Sequence, residues 1–206
     1  MTCNIGVLVS GRGSNLEAIL KAVKRREITR ARVAVVISNK PGVRALEVAK
    51  RFGVPTEVIE SEGLDRTSYD ARLVDSLRRH GVEPESGLIL LAGYMRLLTL
   101  DFVSKFQGRI LNIHPSLLPS FPGLNAQEQA LAYGVKAAGC TVHFVVPEVD
   151  AGPIVLQNAV RVKEDDTVES LSERILRREH VLFPLAVKLF VEGKLSIKGR
   201  KVAIRP

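Results

Sequence analysis

Near the middle of the chain, in the run Asn112, Ile113, His114, Pro115, an amide and an imidazole stand two residues apart. On an extended strand such residues point to the same side, so Asn112 and His114 can act on one bound group. An amide donor beside an imidazole can hold a developing oxyanion and move a proton near neutral pH. The same run also reads as a polar strand end closed by prolines. Asp150, within Val149, Asp150, Ala151, Gly152, Pro153, is a carboxylate on a turn that could reach the imidazole, although Asp is frequent in turns for local hydrogen bonding alone.

A second kind of chemistry is written earlier, in Ser10, Gly11, Arg12, Gly13, Ser14, Asn15. Glycines there let the backbone approach a ligand closely, and free amides at a helix start favour an anion. Leu16 stands where a dinucleotide fingerprint has its third glycine, and no Lys follows as in a triphosphate loop, so a phosphate monoester fits better. A tight turn with an Asn cap is the plain alternative. Glu179 falls near the middle of the apolar stripe of a long C-terminal helix, where a carboxylate is costly unless paired or hydrogen-bonded. His180 points away from that stripe and reads as a surface residue. Ser14 and Ser116 have no neighbouring base, which leaves covalent serine catalysis unsupported.

The elements that must position these residues follow a strand-then-helix grammar. Residues 5–9 and 33–37 read as strands, each followed by an amphipathic helix, 15–24 and 43–52. Residues 67–79 read as a helix opened by a Thr67 and Asp70 capping pair. Residues 87–91 and 109–113 are nearly continuous apolar runs, which suits parallel strands covered on both faces. From Gly139 the pattern changes to two closely spaced β runs, 141–145 and 154–162, which predicts an antiparallel addition. A last helix opens near Asp166 or Thr167 and runs to about Glu192, bent at Pro184. The expected fold is α/β: a Rossmann-like, doubly wound, mostly parallel sheet with an antiparallel C-terminal addition and a long C-terminal helix.

Composition narrows the rest. At 206 residues, 46% hydrophobic, the chain can bury its own core without staples. Its two cysteines, Cys3 and Cys140, have no second Cys or His at ligand spacing, so they read as free thiols, Cys140 in the core, and no zinc site is expected. No apolar run approaches a membrane span, and Asn4, Ser10, Arg12 and Asn15 interrupt any signal-like start, so a cytoplasmic location is expected. The net charge of +8 fits an anionic partner. The basic clusters Lys21, Lys24, Arg25, Arg26, Arg30, Arg32 and Lys194, Lys198, Arg200, Lys201, Arg205 lack interleaved aromatics, which favours solvated surface over nucleic-acid binding.

Taken together, residues 11–15, 93–98 and 112–123, His143 with the run to Pro153, and Glu179, His180 and Pro184 resemble the phosphoribosylglycinamide (glycinamide ribonucleotide) formyltransferases, folate-dependent enzymes of purine synthesis. The resemblance covers nearly the whole chain. It implies one domain, with residues 1–100 binding the ribonucleotide phosphate and residues 101–206 carrying the catalytic and folate sites. Gly13, Ser14 and Asn15 would hold the phosphate, and Glu179 the ribose hydroxyls. The donor, 10-formyltetrahydrofolate, would lie against Met95, Arg96, Leu97, Leu98 and Asn112, and against Val146, Pro147, Glu148, Val149 and Asp150, with Arg66 near its glutamate end. Asn112, His114 and Asp150 would be the catalytic group. The substrate amine attacks the formyl carbon, Asn112 and protonated His114 stabilise the oxyanion, and Asp150 orients His114 and assists proton transfer toward the departing folate nitrogen. Neither a metal nor a covalent intermediate is expected.

Two departures bear on substrate affinity. Asn125 and Gln127 lie where similar enzymes often carry histidines, and Leu176 lies where a polar residue commonly helps hold the ribonucleotide. Among rivals, a 10-formyltetrahydrofolate hydrolase is expected to carry a regulatory domain ahead of this half, and only four residues precede the first strand. A methionyl-tRNA formyltransferase needs a nucleic-acid-binding domain that the segment after Glu192 is too short to supply. A basic nucleotide- or RNA-binding module leaves Asn112, His114 and Asp150 unexplained. Small-molecule substrates, no nucleic-acid or membrane partner, and a monomer or homodimer are the resulting expectations.

Overall fold

The computed structural model describes residues 2–205, and the chain divides into two compact units, residues 1–112 and 113–206. The first unit alternates strand and helix: β1 (Cys3–Val9), α1 (Ser14–Lys24), β2 (Ala31–Ser38), α2 (Arg44–Arg51), β3 (Thr56–Val58), α3 (Arg66–Arg79), β4 (Leu88–Leu91), α4 (Leu100–Lys105), and β5 (Ile110–His114), in which the boundary falls. Its strands pair in the order β3-β2-β1-β4-β5, every pair parallel. Ile5, Val7 and Leu8 of β1 and Leu88, Ile89 and Leu90 of β4 are completely buried. Continuous burial along a strand requires cover on both faces, the condition that makes parallel strands read as unbroken apolar runs.

The second unit contains α5 (Ala126–Tyr133), β6 (Ala137–Phe144), β7 (Ile154–Arg161), α6 (Val168–Val191), β8 (Leu195–Lys198) and β9 (Lys201–Ile204). Its strands run in the order β6-β7-β9-β8, with β6 and β7 antiparallel, β7 and β9 parallel, and β8 and β9 antiparallel. The architecture is therefore the α/β fold expected, with a mostly parallel sheet, antiparallel C-terminal strands and a long C-terminal helix. α6 runs unbroken for 24 residues through Pro184, and Thr167 and Ser170 close its N-terminus as a capping box.

The structure corrects the start of α3. Its cap is Asp65, whose carboxylate accepts from Thr67 N at 2.9 Å and Ser68 N at 3.0 Å, not the predicted Thr67 and Asp70 pair. Asp65 has the extended backbone a cap requires, while Thr67 is already helical. Asp70 is buried, and its Oδ2 accepts from both Thr99 N and Thr99 Oγ1 at 2.7 Å. Four further pieces, β3, α4, α5 and the β8–β9 hairpin, went unassigned in the sequence because each is short and only partly buried.

Candidate active site

The first strand delivers the glycine turn. At its end Ser10 N donates to Gly93 O at 3.1 Å, Ser10 Oγ donates to Asn39 Oδ1 at 2.6 Å, and Met95 N donates back to Ser10 Oγ at 2.9 Å. Ser10 thus ties together three strand-end loops of the first unit. Gly13 caps α1 with a left-handed backbone, φ 75°, and no side chain caps that terminus. The opening amides of α1 therefore sit at a helix start whose dipole favours an anion.

The two glycines of the turn have different reasons. A Cβ on Gly13 would lie 2.6 Å from Ala45 Cα and 2.7 Å from Ala45 Cβ, so α2 packs where a side chain would go. A Cβ on Gly11 would meet nothing within 4 Å. Gly13 serves the packing of α1 against α2 as well as the turn, whereas Gly11 faces open space.

The 93–99 loop is clamped from beneath. Tyr94 donates from its hydroxyl to the Tyr69 hydroxyl at 3.0 Å, the Arg96 guanidinium carbon lies 4.3 Å from the Tyr69 ring centroid, and Thr99 is held by Asp70. Outward, Met95 and Leu97 are 63% and 52% exposed, with Leu98 half-buried. The loop, held by these bonds, thus presents apolar side chains to solvent. Arg66, the first residue of α3, is exposed.

The second unit assembles a cluster of ionisable side chains. His114 ends β5, and its Nδ1 lies 3.3 Å from Asp150 Oδ2, while its Nε2 lies 2.9 Å from Phe121 O. His143, on β6, places Nε2 3.6 Å from Asp150 Oδ1 and Nδ1 2.9 Å from Phe144 O. Gly123 N donates to Asp150 Oδ2 at 2.8 Å. The His114, His143 and Asp150 side chains are 6%, 2% and 11% exposed. Both nitrogens of each ring lie beside acceptor oxygens. Burial pushes the Asp150 carboxyl up, but the His143 hydrogen bond, the Gly123 amide and the charges of both imidazoles outweigh it and hold the group below the usual carboxylate range.

The backbone around this cluster is unusual for a reason. Asp150 itself is left-handed, φ 51°, and at Gly152 a Cβ would run into the Phe144 carbonyl. Behind His114, the buried Thr141 hydroxyl donates to Ser116 O at 2.7 Å and accepts from Leu118 N at 3.0 Å, and Gln157 Nε2 donates to Leu118 O at 2.8 Å. These bonds fix the segment that leaves the imidazole. Asn112, half-exposed, shares the His114 face of β5 by strand alternation. In the turn after β6, Val146 is half-buried, and Pro147, Glu148 and Val149 are exposed.

Glu179 is 6% exposed on the core-facing side of α6, as its place in the apolar stripe predicts. It lies close enough to Cys140 of β6 that its charge adds to burial in pushing that thiol up to about 12. His180 departs from the surface position expected of it: the residue is half-buried and its Nε2 is shielded from solvent. α5 also packs on α6, so more of that helix is covered than one stripe indicates. Sequence reasoning paired Asp150 with His114 but gave His143 no place beside it, because nothing local marks a buried strand histidine as a partner of a distant turn. Among the described residues no group of three His, Cys, Asp or Glu side chains is arranged to hold a metal ion, and no helix is long and apolar enough to cross a membrane.

The second unit thus gathers two imidazoles and a carboxylate held below the usual range, and comparison with known proteins gives the class of the chain. Residues 3–187 match the formyl transferase family model, and the chain belongs to that family. Its sequence is 40% identical over 195 residues to phosphoribosylglycinamide formyltransferase of Escherichia coli K12, covering 94% of this chain and 90% of that protein. It is 48% identical over 194 residues to the trifunctional purine biosynthetic protein adenosine-3 of Gallus gallus, where the match spans 94% of this chain but 19% of the longer protein. Among solved structures, glycinamide ribonucleotide transformylase 1 of Symbiobacterium toebii superposes with a TM-score of 0.95 at 52% identity, covering 100% of this chain and 95% of that one.

Proposed function

We propose that this chain transfers the formyl group of 10-formyltetrahydrofolate to the amine of glycinamide ribonucleotide, a step of de novo purine synthesis. The observation that carries this reading is the buried Asp150 and His114 pair, with Asn112 two residues earlier on the same strand of a formyl transferase. The amine attacks the formyl carbon, and the carbonyl oxygen gains charge. Asn112 donates to that oxygen, and His114, protonated and steered by Asp150, stabilises it and returns a proton toward the departing folate nitrogen.

Gly13, Ser14 and Asn15 hold the ribonucleotide phosphate at the start of α1, and Glu179 accepts from the ribose hydroxyls. The folate rests on Met95, Arg96, Leu97 and Leu98 and on the turn of Val146, Pro147, Glu148, Val149 and Asp150, with Arg66 toward its glutamate end. The chain works as a single formyltransferase domain in the cytoplasm, as a monomer or homodimer, on small molecules and without nucleic-acid or membrane partners. Purified protein given both substrates releases tetrahydrofolate without added ATP or metal. A strict ATP requirement, or loss of activity in EDTA, overturns the reading. Fast donor hydrolysis without the amine points instead to a hydrolase.

A further inference from the structure

We propose that the C-terminal hairpin of β8 and β9 holds the Asp150 turn in register through Arg200, which makes Arg200 a positioning residue for the transfer. The inference rests on the role of Asp150 given above. Lys198 pairs with Lys201 across a two-residue turn of Gly199 and Arg200, with Gly199 left-handed at φ 58°. β9 joins β7 in parallel at Ile154 and Lys201, so the residue beside Arg200 is fixed to the first residue of β7. From there Arg200 Nη2 donates to Ala151 O at 3.1 Å.

Ala151 is the residue after Asp150, and its carbonyl belongs to the turn whose geometry sets the carboxylate. That turn is not self-sufficient. Asp150 occupies a left-handed conformation that a residue with a side chain adopts reluctantly, and the internal bond from Ala151 N to Glu148 O is long, 3.4 Å. Phe144 N donating to Pro153 O at 2.9 Å secures the end of the turn next to β7, and Gly123 secures the carboxylate. Arg200 supplies a hold on the peptide between these two points. Its guanidinium is exposed, so it contributes little core packing, yet it bears on a carboxylate whose oxygens must stay 3.3 Å from His114 Nδ1 and 3.6 Å from His143 Nε2. Small displacements of such a group cost rate far more than stability.

The test is steady-state kinetics on Arg200→Ala, Arg200→Lys, Lys198→Ala, Asp150→Asn and the Arg200→Ala, Asp150→Asn double variant, with thermal midpoints for each. Arg200→Ala should lower kcat by about 3- to 10-fold, the range for losing one ordinary, exposed hydrogen bond. KM for the ribonucleotide should stay within about twofold, because Arg200 and Ala151 are not among the residues proposed to hold it. The thermal midpoint should be unchanged, Arg200→Lys should recover most of kcat, and Lys198→Ala should behave as wild type. In the Asp150→Asn background, Arg200→Ala should have no further effect, since there is no carboxylate left to position. The proposal is overturned by a normal kcat in Arg200→Ala beside a crippled Asp150→Asn, by an undiminished Arg200 effect in the double variant, or by an equal loss in Lys198→Ala. A normal kcat in Asp150→Asn strikes the role of Asp150 itself, and the hairpin inference falls with it.

Discussion

In the turn of residues 10–15 the polar groups on offer are backbone amides at the start of one helix, supplied by a single stretch of chain. Around Asp150 the ionisable groups are side chains from β5, β6 and the turn before β7, joined by the 121–123 backbone. The first arrangement uses fixed partial charges that do not titrate. The second uses ionisable side chains, among them a carboxylate that its neighbours hold below the usual range. Binding a phosphate needs a constant field, whereas moving a proton needs groups that can change charge, and on the proposed function the two regions divide those tasks.

The largest effects should come from the titrating region. His114→Ala and Asp150→Asn are each expected to lower kcat by at least about a hundredfold with circular dichroism intact, and Asn112→Ala to lose about 3 kcal/mol of transition-state stabilisation. The triple variant should be scarcely worse than the worst single one, because the three act as a unit. A near-normal kcat in folded His114→Ala would end the contrast between the regions.

The turn should respond differently at its two glycines. Gly13→Val is expected to cost about 2 to 3 kcal/mol of stability, from left-handed strain and collision with Ala45. Gly11→Ala, with nothing in the protein to strike, should melt normally and raise only the ribonucleotide KM. If the folate KM moves instead, the two substrates have been assigned to the wrong regions.

Glu179→Gln should weaken ribonucleotide binding by about 1.5 to 3 kcal/mol at unchanged thermal midpoint, as for a hydrogen bond to a charged group. A lower midpoint with normal binding makes the carboxylate structural. The smallest effect is one of pH. Because the folded Asp150 carboxyl titrates below the usual range, its contribution to stability is complete above pH of about 4 and is lost as pH falls through the folded value. The difference in thermal midpoint between the protein and Asp150→Asn should therefore shrink on acidification below about pH 4. A difference that stays constant to pH of about 2 would show that Asp150 gains nothing from its neighbours.

The same contrast explains what the sequence disclosed. The glycine turn of residues 10–15 was legible because strand, glycines and helix start are consecutive, and the burial of Glu179 was legible because a carboxylate interrupts a regular apolar period. Asp70 misled as a cap because its carboxylate is committed to Thr99, 29 residues away, which no local pattern records. α5 was missed because its buried residues are only Ala126 and Ala130, too small to write a strong stripe, and it starts from a left-handed Asn125 without a side-chain cap. The hairpin after α6 carried its signal in Gly199 alone, between two four-residue strands with little burial. His143 and Arg200 depend on which strands become neighbours, and that is information carried by the fold.

The state of the two thiols has a consequence for selectivity. Burial pushes Cys140 up to about 12, with the Glu179 charge adding to it, and burial raises Cys3 against the opposing charge of Arg109. The nucleophile in sulfur chemistry is the thiolate, and near neutrality both sulfurs remain protonated and dull. On the proposed function, a formyl group carried on an activated nitrogen is open to strong nucleophiles, and thiols kept protonated do not compete for it with the incoming amine.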